Sequence, residues 1–190
     1  MSAVLRPITL AEYNDRDRAS LIKSEYYRGE MFAMAGGSPE HSLVATNFTR
    51  EAGIQLKGKP CVTYNSDLRI KVPTTGLFTY PDASIVWGPP EMDTEVGGTV
   101  LNPSVIVEVL SESTEKYDRG KKSSHYRRLE SLRELILISP TEALVEMYTR
   151  SVDQTWSFIE YREITDTLVI QSVGVAIPLS EIYRNVAFHE

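Results

Sequence analysis

Apolar positions along the chain change period several times, and each change marks an element. Leu43, Val44, Phe48, Ala52 and Leu56 recur at helical spacing and predict a helix over 39–57. Ser38-Pro39 ahead of them supplies an N-cap and a proline at the first helical position. Thr9 followed by Glu12 has capping-box spacing and predicts a short first helix over 10–17. Residues 22–35 read as a hairpin, with Tyr26, Met31 and Phe32 as strand formers around an Arg28-Gly29 turn. Val62, Tyr64, Leu68 and Ile70 alternate well enough to predict one strand over 61–72. Residues 80–87 and 104–110 are dense in Val, Ile and Leu, as central strands buried on both faces are. A helix over 115–131 follows, then strands over 134–139, 144–149, 156–162 and 168–171, and a short helix over 178–183. The order predicts a mixed α/β sheet with a helix on each side. With no repeat, low-complexity tract or linker-like stretch, a single domain over 1–190 is expected.

Composition narrows the class. A chain of 190 residues, 42% hydrophobic and 24% charged, suits one domain whose core is held by packing alone. The longest apolar runs, Val105-Ile106-Val107 and Leu135-Ile136-Leu137-Ile138, are too short to cross a bilayer, so no membrane role is expected. The start, MSAVLRPITLAEY, lacks the basic-then-apolar order of a secretion signal. Cys61 is the only cysteine, which excludes an intramolecular disulfide and a thiolate zinc cage, and a cytoplasmic protein is expected. A formal net charge of −6 argues against coating nucleic acid by electrostatics alone. The charge is uneven, however. From Glu115 to Arg133 seven Lys or Arg stand against three acids, so this segment carries +4 and the rest −10. A solvated helix face explains such a stretch as well as a phosphate contact does.

Two carboxylates sit where carboxylates are costly. Glu108 interrupts Val105-Ile106-Val107-Glu108-Val109-Leu110, and Asp82 opens the run Ala83-Ser84-Ile85-Val86-Trp87. A buried, unpaired carboxylate costs several kcal/mol, so each needs a cation, a donor or a proton. If the two strands are neighbours, the acids meet at one end of the sheet. Asp118, Lys122, Tyr126 and Leu129 fall on one helical stripe, and Tyr126 and Leu129 make it the inward one. Lys122 is then directed at the acids, either as the counter-ion of a structural network or as part of an active site. The functional reading is phosphodiester hydrolysis. Hard carboxylate oxygens bind Mg²⁺ or Mn²⁺, the metal activates water, and a lysine balances growing negative charge.

Pro81-Asp82 followed by Glu108-Val109-Leu110 resembles the PD-(D/E)XK signature of restriction-endonuclease-like nucleases. Leu110 stands where that signature has its lysine, and Lys122 on the following helix is the natural replacement. More closely, Tyr80-Pro81-Asp82, Pro103 with Glu108-Val109-Leu110-Ser111, Ser113-Thr114 and Asp118, Lys122 and Tyr126 at four-residue steps resemble the bacterial Uma-two-type endonuclease family. Arg28-Gly29-Glu30 and Gly36-Gly37-Ser38-Pro39 with His41 fit its N-terminal pattern, so the resemblance spans about residues 20–150. Leu135-Ile136 departs from the aromatic pair expected after the helix.

The resemblance implies a restriction-endonuclease-like mixed β-sheet flanked by α-helices, dependence on Mg²⁺ or Mn²⁺, a nucleic-acid substrate (DNA foremost) and a homodimer. It makes Asp82 and Glu108 metal ligands, joined by the Val109 carbonyl, and Lys122 the catalytic lysine. Glu30 would add a carboxylate, His41 would line the cleft and Asp118 would orient Lys122. Each of these last three has a plainer reading: a solvated turn residue, a residue of a helix's first turn, and an intrahelical salt bridge. Two rivals to the nuclease remain: a catalytically inactive nucleic-acid- or protein-binding protein on a nuclease-like scaffold, and acid–base chemistry on another substrate. No phosphate-loop, metalloprotease or nucleophile-elbow motif competes with these readings.

Overall fold

A computed structural model describes residues 6–188; part of the chain start read above for a secretion signal lies outside the described residues. Helix α1 (Leu10–Ala19) opens with the reciprocal capping box of Thr9 and Glu12. The hairpin of β1 (Ser24–Tyr27) and β2 (Glu30–Ala33) turns at Arg28 and Gly29, both at positive φ. Helix α2 (Pro39–Leu56) starts where Ser38 caps the His41 N–H.

The expected strand over 61–72 is two strands. β3 (Cys61–Asn65) and β4 (Arg69–Val72) belong to different sheets. Between them the Asp67 N–H bonds the Asn65 side chain, an Asx turn that breaks the ladder. β5 (Leu77–Thr79), β6 (Ala83–Trp87), β7 (Thr99–Val100) and β8 (Val105–Val109) follow.

The expected helix over 115–131 is shorter and interrupted: α3 (Glu115–Tyr117), a π-helical turn (Asp118–Lys122) and α4 (Ser123–Tyr126). Gly120 lies inside the π-turn, and Ser123 donates its N–H and its hydroxyl to the Asp118 carbonyl. Then come β9 (Glu134–Ile138), β10 (Val145–Arg150), β11 (Trp156–Tyr161), β12 (Thr167–Ile170), β13 (Val175–Pro178) and α5 (Leu179–Ile182). Among the described residues no helix is long and apolar enough to cross a membrane.

The strands form a six-stranded mixed sheet ordered β11-β10-β9-β8-β6-β3, a five-stranded sheet ordered β2-β1-β5-β4-β7 and the β12–β13 hairpin. Side chains alternate across the six-stranded sheet. Val105, Val107, Val109, Ile136 and Ile138 pack against Val44, Phe48, Ala52 and Leu56 of α2 and against β12–β13. Ile106, Leu135 and Leu137 face the other way, onto Tyr126, Leu129 and Leu132 and onto Ile70, Val72 and Leu77 of the second sheet. Of the two segments read as central strands, β8 is buried throughout and β6 is buried up to Trp87, which is exposed; β9 is buried throughout as well. The alternation has a chemical consequence: Glu108 shares the face of Ile106, beneath the interrupted helix.

Candidate active site

The acids meet because β6 and β8 are antiparallel neighbours. Ala83 lies opposite Val107, so the next step of the register sets Asp82 across from Glu108. The Val109 N–H donates to Asp82 Oδ2 at 2.7 Å. His41, in the first turn of α2, places Nε2 3.3 Å from the same oxygen and also bonds the Val109 carbonyl. Burial alone would lower the His41 pKa, but the Asp82 carboxylate outweighs it and raises it.

Lys122 is 4% exposed, and its Nζ stands 2.9 Å from Glu108 Oε1, 3.3 Å from Glu25 Oε1 and 3.4 Å from Asp118 Oδ1. Burial disfavours its ammonium, yet the surrounding acids and Tyr126 hold its pKa well above the usual value. Glu108 also accepts from the Tyr126 hydroxyl. Burial, reinforced by the charges of Asp82 and Asp118, pushes Glu108 up to about 8 against the opposing pull of Lys122 and Tyr126. Asp118 is raised too, burial exceeding the effect of Lys122. Three carboxylates thus share one ammonium in a water-poor place, where charge is poised rather than satisfied.

Glu25 is a member of this cluster that the sequence reading passes over. It is 6% exposed and accepts from Thr79 Oγ1 at 2.5 Å and from the Tyr117 hydroxyl at 2.8 Å. The available signal was an acid inside the strand-forming run Ser24-Glu25-Tyr26-Tyr27, the same anomaly that drew attention to Glu108. Glu30, opposite Tyr27 at the start of β2, is exposed and does not line the cleft. Leu110, in the place of the signature's lysine, is buried in the core beside Tyr126.

A cleft of about 550 Å³ opens onto Glu25, Asp82, Glu108, Val109, Asp118 and Lys122. A second groove of about 1050 Å³ adjoins it, with Gly36, Gly37, His41 and Asp82 on both linings.

The residues fit a hard divalent ion. Asp82 Oδ1 and Glu108 Oε2 take no hydrogen bond among the described residues, while their sister oxygens are held by Val109, Lys122 and Tyr126. With the Val109 carbonyl the donor set is all oxygen, as Mg²⁺ and Mn²⁺ prefer. Among the described residues no group of three or more His, Cys, Asp or Glu is placed to hold a metal ion. Asp82, Glu108 and the Val109 carbonyl would fill only part of a coordination shell, and Mg²⁺ commonly keeps several waters.

Residues 10–180 match the family model described as "Uma2: Putative restriction endonuclease". The chain belongs to the Uma2 family. Among its relatives is the uncharacterized protein slr1290 of Synechocystis sp., 34% identical over 184 residues, which cover 97% of this chain and 94% of that one. The uncharacterized protein sll1609 of the same organism is 30% identical over 158 residues, covering 83% and 89% of the two chains. A crystal structure described as "a putative nuclease belonging to DUF820", from Anabaena variabilis, superposes with a TM-score of 0.76 over 93% of this chain and 98% of that one. At 18% identity that likeness establishes a shared fold, the restriction-endonuclease-like mixed sheet flanked by helices expected of a Uma2 protein.

Proposed function

We propose that this Uma2 chain is a divalent-metal-dependent endonuclease that hydrolyses phosphodiester bonds of nucleic acid, DNA foremost. The observation carrying the reading is the meeting of Asp82 and Glu108, each with an oxygen uncommitted, beside a buried Lys122 on the floor of one cleft. In this reading Asp82, Glu108 and the Val109 carbonyl hold Mg²⁺ or Mn²⁺, in a single domain that works in the cytoplasm as a homodimer.

A bound divalent ion supplies an activated water and offsets charge growing on the phosphate. The protein does the rest by placement. The Val109 N–H fixes the rotamer of Asp82, and His41 braces the same oxygen. Tyr126 and Lys122 anchor one edge of the Glu108 carboxylate, turning its other oxygen to the cleft. The Lys122 ammonium stabilises negative charge at the reacting phosphate, and Asp118 and Glu25 hold it there.

The full engagement of Lys122 by three acids also suits the rival reading, a scaffold that binds without cutting. Plasmid nicking in Mg²⁺ or Mn²⁺ separates the two. The nuclease reading requires nicking by wild type and its loss in Asp82→Asn, Glu108→Gln and Lys122→Met variants that remain folded. Undiminished nicking by all three variants would rule out this site, and nucleic-acid binding by wild type without turnover in either metal would favour the scaffold.

A further inference from the structure

The basic segment does more than clothe a helix. Lys121 is exposed on the cleft lining, and its Nζ sits 5.1 Å from the centroid of the Tyr27 ring. The guanidinium of Arg28 lies 5.1 Å from the same centroid. His125 meets Tyr27 edge-on with centroids 4.9 Å apart. Arg128, exposed, follows His125 closely enough for its main-chain N–H to bond the His125 carbonyl at 3.0 Å, and burial and then the positive charges of Lys121, Arg128 and Arg28 lower the His125 pKa. None of the three forms an ion pair among the described residues, whereas Arg119 of the same segment is bound to Glu115 and Glu146. Glu25, whose charge acts on His125, is engaged by Lys122, Thr79 and Tyr117.

The Tyr27 ring offsets part of the cluster's own repulsion. Tyr27 gives two of the cations a ring to rest on, each such contact worth about 0.5–1 kcal/mol at an exposed site. Arg28 sits at φ +50 in the hairpin turn, a conformation that costs a non-glycine residue roughly 1–2 kcal/mol, and its guanidinium lies over the ring.

We propose that Arg28, Lys121 and Arg128, gathered round Tyr27 and His125, bind a backbone phosphate of the nucleic acid next to the one cut. Tyr27, Lys121 and His125 line the same cleft as Asp82 and Glu108, so a strand held at one end passes the other. In a chain of net charge −6 the site is where a polyanion is met by unneutralised cations. The inference rests on the nuclease reading for its word "cut"; the phosphate contact stands or falls by itself.

The test is fluorescence anisotropy of a labelled DNA duplex against full-length protein in EDTA, over a series of salt concentrations, so that no cleavage enters. Arg28→Asn, which tolerates the positive φ, is combined with Lys121→Gln and Arg128→Gln; Lys57→Gln, at the far end of α2, is the control. Loss of that one phosphate contact should flatten the slope of log K against log salt by about 0.9 in the triple variant, with the control unchanged. A triple variant with wild-type affinity and slope overturns the proposal even if the enzyme cuts. Absence of DNA binding by wild type at low salt overturns it as well. Salt-dependent binding that needs the cluster, in a protein that never nicks DNA, would uphold the contact and sink the nuclease reading alone.

Discussion

The main-chain N–H of Val109 donates to Asp82 Oδ2 at 2.7 Å, so the backbone just beyond Glu108 orients the acid of the neighbouring strand. The antiparallel register of β6 and β8 brings the two acids together, and this bond fixes how one faces the other. The geometry can be tested without disturbing it. Asp82→Asn keeps an oxygen to accept from Val109, so its stability should stay within about 1 kcal/mol of wild type, the size of one hydrogen bond. Its nicking should fall by about 10² or more, as expected when a group that stabilises the transition state is lost. Urea melts and nicking rates on the same preparation check both halves.

Lys122→Met leaves buried acids without their cation and should destabilise the fold by about 3–5 kcal/mol. Glu108→Gln in the same chain should recover part of that loss, because one of the stranded charges goes with it. A double-mutant cycle by denaturant unfolding measures the coupling, expected at about 0.5–3 kcal/mol. Strict additivity would mean that the 2.9 Å contact between Lys122 and Glu108 contributes nothing.

Acid should weaken the fold through Asp93. Burial pushes its pKa up, but Lys71, at 2.6 Å, and the Val96 and Glu95 N–H groups outweigh this and hold it below the usual value. A depressed carboxylate contributes stability that is present above its unfolded pKa, ordinarily about 3.9, and is lost as pH falls through the folded value. Lys71→Met should therefore destabilise at neutral pH, with the difference from wild type shrinking below about pH 4. Thermal melts at neutral and acid pH decide this; a difference constant with pH would remove Asp93 from the explanation.

Thr9→Ala removes one half of the capping box on α1 and should cost about 1 kcal/mol, read from denaturant midpoints.

How much of this was legible depends on whether the signal was local. The capping of α1 and α2, the Arg28-Gly29 turn and the apolar strands β6 and β8 follow from chemistry within a few residues, as does β9 as a strand. So does the reading of Glu108 as an anomaly inside an apolar run. The split of residues 61–72 was readable in Asn65-Ser66-Asp67, turn formers outweighed by the β formers on either side. The π-turn was not, because an extra residue in a helix leaves the stripe of Asp118, Lys122 and Tyr126 nearly unchanged in one dimension. Short strands such as β7 exist only through their partners. Glu25 joins the site because β1 lies against β5 and under the interrupted helix, a tertiary fact that leaves no mark at Glu25 beyond its own misplaced charge.

The central claim is that Asp82 and Glu108 hold a divalent ion that cutting requires. Calorimetric titration of Mg²⁺ and Mn²⁺ into wild type and Asp82→Ala, with plasmid nicking followed in the same solutions, tests it most directly. The expected result is that wild type binds metal and nicks DNA and that the variant does neither while keeping its melting transition. A wild type that binds no metal even with DNA present would contradict the claim and leave Lys122 as the counter-ion of a structural network.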